Sequence, residues 1–113
     1  MDSVSVVGAL SALAQEHRLA LFRLLVQAGE SGMAAGQIAE ALGVPNSSLS
    51  FHLAQLRTAG LILQERQHRS LIYRANYPAM NALLGYLTEN CCAGSACEAE
   101  AACVPQAPQR KSA

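Results

Sequence analysis

The chain has 113 residues, 51% of them apolar and only 4% aromatic, with eight basic and eight acidic side chains and formally no net charge. That length supports one modest core and hardly two, and the leucine- and alanine-rich composition suits packed helices. No apolar run is long enough to span a membrane, and the N-terminus lacks the basic, hydrophobic, small-residue order of a secretion signal, so a cytoplasmic protein is expected.

In chain order, Val6, Val7, Leu10, Leu13 and Ala14 recur at helical spacing and predict a first helix with an apolar stripe. Glu16 to Val26 is nearly all apolar on its inner faces and should form the central core helix, broken by Gly29-Glu30-Ser31-Gly32. A third helix ends at Gly43, which suits a left-handed helix-terminating position, and Pro45 fits the first turn of a fourth. In that fourth helix Leu49, Leu53 and Leu56 supply the buried stripe, while Asn46, Ser47, Ser48, Ser50, His52 and Gln55 carry hydrogen-bonding groups.

A helix that needed only solubility would usually carry Lys and Glu there. Short polar groups at a helix N-terminus can instead meet phosphates, and Asn, Gln and Ser can read base edges in a major groove. Beyond Gly60, the apolar runs Leu61-Ile62-Leu63 and Leu71-Ile72-Tyr73 predict a hairpin whose polar tip carries Arg66, His68 and Arg69. The whole reads as a winged helix-turn-helix: mainly α with a small β-hairpin, in the order α-α-α-α-β-β-α. The DNA-contacting set expected from it is Gln37, Asn46, Ser47, Ser48, Ser50, His52, Gln55, Arg57, Arg66, His68 and Arg69. From Pro45 to Ala75 four arginines face the single acid Glu65, so the neutral total hides a basic region. So few cations would bind DNA weakly from one subunit, and the last helix repeats Met80, Leu83, Leu84 and Leu87 on one side. A homodimer through the first and last helices follows, with double-stranded operator DNA as its partner.

All four cysteines, Cys91, Cys92, Cys97 and Cys103, follow that last helix. Adjacent α-carbons lie about 3.8 Å apart, too close for an easy disulfide between Cys91 and Cys92. Two neighbouring thiolates with a third returning through Ala93-Gly94-Ser95-Ala96 could surround a soft three-coordinate ion such as trivalent arsenic or antimony. Zinc is less natural, because no Asp-His cluster and no paired Cys-x2-Cys accompany the cysteines.

Leu13-Ala14-Gln15-Glu16-His17-Arg18-Leu19, the stretch Ser48 to Leu61 and Tyr73-Arg74-Ala75 resemble the ArsR/SmtB family of metal- and metalloid-responsive winged-helix repressors, over nearly all of Leu10 to Cys97. The resemblance implies a homodimeric repressor that leaves an imperfect palindrome when its inducer binds. The family's commonest arsenic site would fall near Gly32 to Gln37, which holds no cysteine, and its zinc-type Asp-His site is missing from Pro78 to Asn90. Leu87-Thr88-Glu89-Asn90-Cys91-Cys92 matches the ending of an arsenic-responsive subgroup. That match implies Cys91, Cys92 and Cys97 as ligands, with Cys103 as a possible substitute, arsenite or antimonite as inducer, and no cofactor for DNA binding. Residues 1–90 would then be the DNA-binding and dimerisation domain, and 91–113 a metalloid-binding tail, disordered towards its end. A redox sensor on the same scaffold, with Cys97 or Cys103 pairing with Cys91 or Cys92, is the rival reading. A thiol enzyme is disfavoured, since no Lys, Arg or His flanks the cysteines to lower their pKa.

Overall fold

Local chemistry sets where each helix begins and ends. Asp2 opens α1 (Ser3–Leu13) by accepting the Ser5 N–H at 2.8 Å, and Gln15 opens α2 (Glu16–Ala28) by accepting that of Arg18 at 2.9 Å. Gln37 does the same for α3 (Ala35–Leu42), its Oε1 accepting the Ala34 N–H at 2.9 Å. Gly43, at φ 69 and ψ 31, closes α3 in the left-handed conformation expected of it. Pro45 is the extended residue just before α4 (Asn46–Thr58) rather than part of its first turn, and its carbonyl accepts the Leu49 N–H. Asn76 caps α5 (Tyr77–Leu87), whose first turn holds Pro78. The computed structural model describes residues 1–94; Cys97, Cys103 and the expected disorder of the tail lie outside them.

Three strands, β1 (Met33–Ala34), β2 (Ile62–Gln67) and β3 (Ser70–Ala75), form an antiparallel sheet in the order β1-β3-β2. The hairpin is longer than its apolar runs suggested. Pairing continues from Ile62↔Ala75 out to Gln67↔Ser70, leaving only His68 and Arg69 in the turn, because ladder bonds are indifferent to what the solvent-facing side chains are. The third strand was not expected from the sequence. Met33 and Ala34 pair with Tyr73 and Ile72 just after Gly32, which sits at φ 67.

The core lies between α1, α2, α4 and the sheet. Leu21, Leu25, Ile38, Leu49, Leu56, Leu61 and Ile62 are wholly buried, and Leu53 almost so. Thus α2 is the central helix, and the buried stripe of α4 is the one its leucine spacing predicts. The Tyr77 hydroxyl donates to the Val26 carbonyl at 2.9 Å, tying the start of α5 to the end of α2. The apolar residues of α1 divide between two faces: Val6, Ala9 and Ala12 are buried, whereas Val4, Val7 and Leu10 are exposed. In α5, likewise, Leu83 is buried while Leu84 and Leu87 are exposed.

Candidate nucleic-acid interface

The turn from Gly43 to Pro45 presents the N-terminus of α4 to solvent, and Pro45 at its N-cap supplies no side-chain hydrogen bond to it. Asn46, Ser47 and Ser48 are all exposed there, so the loose N–H groups of the first turn are flanked by three short polar side chains. Ser50 and Gln55 are exposed further along the helix. Such an end can meet a phosphate through backbone N–H groups and the helix dipole, while the side chains reach base edges.

The hairpin stands beside this helix. Alternate residues of a strand share a face, so Gln64 and Arg66 lie on one side of β2, Glu65 on the other. Arg57, in the last turn of α4, donates to Gln64 Oε1 and thereby bonds the wing to the helix. Arg74 lies 3.2 Å from Glu30 and 3.7 Å from Glu65, so the acid of the hairpin is engaged on the face away from Arg66. Arg57, Arg66 and Arg69 remain exposed on the α4 side and at the tip. His68, at φ 58, opens the two-residue turn that carries Arg69.

Two of the expected contact residues are placed differently from the rest. Gln37 is exposed but spends its carbonyl oxygen on the start of α3. His52 is half-buried against α2: Arg18 Nη1 lies 3.5 Å from its Nδ1, and its ring centroid is 5.6 Å from that of His17. Burial, with the positive charges of Arg18 and His17 acting in the same direction, holds the His52 imidazole below its ordinary pKa. Arg18 is fixed in turn by a 2.6 Å bond from Nε to the Ala12 carbonyl. His52 is thus a strut between the outward-facing helix and the α1–α2 corner. A groove of about 270 Å³ opens beside it between α1 and α4, lined by Ser11, Arg18, Gln55 and Thr58 among others.

Sequence reasoning passed over two residues of this surface. Arg18 was read as part of the central helix and of a family-like segment, and nothing local reveals its long-range bonds. Phe51 is 57% exposed on α4, and spacing could have found it: it lies four residues from both Ser47 and Gln55.

At the far end of α5, the Thr88 hydroxyl donates back to the Leu84 carbonyl at 2.8 Å and ends the helix. A short turn over Cys91–Gly94 follows, with Cys92 and Ala93 at φ 57 and 58, and both Cys91 and Cys92 are exposed. Among the described residues no three His, Cys, Asp or Glu side chains gather as a metal-binding group, and no helix is long and apolar enough to cross a membrane.

A family model described as a helix-turn-helix domain matches residues 13–65. The nodulation protein NolR of Rhizobium meliloti is 33% identical over 88 residues, spanning 78% of this chain and 70% of NolR. An ArsR-like transcriptional regulator from Rhodococcus sp. RHA1 superposes with a TM-score of 0.68 at 25% identity, covering 74% of this chain and 76% of that one. The homodimeric winged helix-turn-helix DNA-binding domain of Mb0332 from Mycobacterium bovis, described as a possible ArsR-family regulator, gives 0.60 at 28% identity, covering 76% and 80%.

Proposed function

The chain belongs to the ArsR/SmtB family of DNA-binding winged-helix transcriptional regulators, and from that premise we propose that it is a metalloid-responsive repressor. It binds operator DNA in the cytoplasm as a homodimer and lets go when trivalent arsenic or antimony is captured by cysteines at the end of α5. The observation that carries this reading is the pair of exposed side chains Cys91 and Cys92 in the turn just beyond α5. Adjacent thiols in water suit a soft trivalent ion, and Cys97 or Cys103 can supply the third sulfur.

Dimerisation is supported by the apolar residues that α1 and α5 leave uncovered: Val4, Val7, Leu10, Leu84 and Leu87. The Mb0332 relative is itself a homodimer. Two copies joined there would hold their α4 helices about one DNA turn, roughly 34 Å, apart. A ligand that draws the segment after α5 together acts where the subunits meet, and so on the separation of the two reading helices. Linkage makes the effect reciprocal: bound DNA weakens metalloid binding by the same factor, about 5- to 150-fold in typical systems.

The test is fluorescence anisotropy of the reduced full chain on its own upstream promoter duplex, titrated in parallel with arsenite, antimonite, zinc and peroxide. Release by arsenite or antimonite, abolished in Cys91→Ser, is the expected result. Release by peroxide alone would replace this reading with the thiol redox sensor.

A further inference from the structure

The chain has two phenylalanines, and the fold treats them oppositely. Phe22 is 7% exposed in the core, as burial of a large apolar ring favours, whereas Phe51 is held out on α4 with more than half its surface in water. It is not loose. Its ring meets that of His52 edge-on, 5.7 Å between centroids and 64° between planes. His52 is backed by His17 and Arg18, and Arg18 by the carbonyl of Ala12. An exposed aromatic is thus braced from behind through three residues to the end of α1.

Its neighbours narrow what it faces. Ser47, Ser48, Ser50 and Gln55 surround it on the helix, and all are exposed and polar. A protein-protein contact would bring further apolar residues to the same helix face, and the other uncovered apolar side chains, among them Val7, Leu19, Leu63, Leu84 and Leu87, belong to other elements. A single ring among hydroxyls and an amide matches a surface that is itself polar with isolated apolar points. The floor of a DNA major groove is such a surface, where the apolar points are the C5-methyl groups of thymine.

We propose that Phe51 reads thymine C5-methyl groups in the major groove, as an apolar specificity contact set between the hydrogen-bonding side chains of α4. The assignment rests on α4 being the helix that enters the groove. His52 is then a positioning residue, holding the ring at the angle from which it projects. Losing one buried methyl should weaken binding about fourfold for each thymine contacted.

The test begins by enriching high-affinity duplexes from a random-sequence library with the reduced full chain, then synthesising the best one with thymine and again with uracil at every thymine position. Wild type should bind the thymine duplex at least about fourfold more tightly. Phe51→Ala should bind it more weakly than wild type and no longer distinguish the two duplexes, and Phe51→Leu should keep part of the preference. Equal binding of both duplexes by wild type would overturn the assignment. So would a preference that survives in Phe51→Ala, which would reflect DNA shape, or a change in oligomeric state by light scattering in that variant. Failure to enrich any duplex is a separate outcome, because it removes α4 as the reading helix and Phe51 with it.

Discussion

Gly32 is a residue whose backbone, rather than its side chain, decides the structure around it. It sits at φ 67, and a Cβ added there would lie 2.5 Å from the Tyr73 carbonyl oxygen and 2.9 Å from Ile72 Cγ2. Gly32→Ala therefore combines a left-handed conformation unfavourable to an L-residue with a clash against the backbone of β3. We expect a loss of roughly 2–4 kcal/mol in urea unfolding, with β1 the first element to detach in hydrogen exchange. His52 sets a second residue-scale effect, on pH. Its pKa in the folded chain is lowered, chiefly by burial and then by Arg18 and His17, from the ordinary imidazole value of about 6.5. The unfolded chain therefore binds the proton more readily, and the stability that neutral His52 contributes is complete above 6.5 and drains away as pH falls from there towards the folded value. His52→Asn, which keeps an acceptor for Arg18 without a titrating ring, should show a shallower loss of melting temperature on acidification than wild type. Equal slopes in the two proteins would remove His52 as the cause.

Among elements, the wing separates arginines that serve the fold from those free to meet phosphate. Arg66 and Arg69 are exposed without an acidic partner among the described residues, whereas Arg74 is shared between Glu30 and Glu65. Each phosphate contact contributes close to one unit to the slope of log affinity against log salt. Arg66→Ala and Arg69→Ala should each lower that slope by about 1, and Arg74→Ala should leave it unchanged while costing at most about 1 kcal/mol of stability. Filter binding over a salt series distinguishes the two classes, and a lowered slope in Arg74→Ala would contradict the division. The charge balance of the region counted all four arginines alike, and although Arg74 stood outside the expected contact set, its engagement by Glu30, 44 residues away, leaves no local trace. By contrast, the leucine stripe of α4 and the left-handed Gly43 were legible, since 3.6-residue periodicity and glycine's freedom at positive φ are local rules. β1 was not, because two residues carry no periodicity and their pairing depends on β3, about 40 residues on. His52 was read as outward-facing because its position borders the leucine stripe, where spacing alone does not say which side packs.

For the whole molecule, zero net charge and a DNA-binding role are compatible only through distribution and number of copies. One subunit offers Arg57, Arg66, Arg69 and the start of α4, a modest footprint, and the apolar residues it leaves bare on α1 and α5 provide the means of doubling it. Leu84 is 52% exposed, so replacing it removes little from the core of one subunit, whose α5 contribution is Leu83 at 6%. Leu84→Glu places a charge in the proposed interface, where two copies related by symmetry would meet it twice, and burying an unpaired carboxylate is unfavourable by several kcal/mol. The variant should keep its far-ultraviolet circular dichroism and melt cooperatively, yet sediment as a monomer where wild type sediments as a dimer. Its affinity for promoter duplex should fall and its salt slope should drop to about half, since each subunit contributes the same phosphate contacts. A variant that remained dimeric would move the interface off α5, while one that became monomeric with the wild-type salt slope would show that a single winged helix makes all the contacts, and the paired-reading geometry would have to be abandoned.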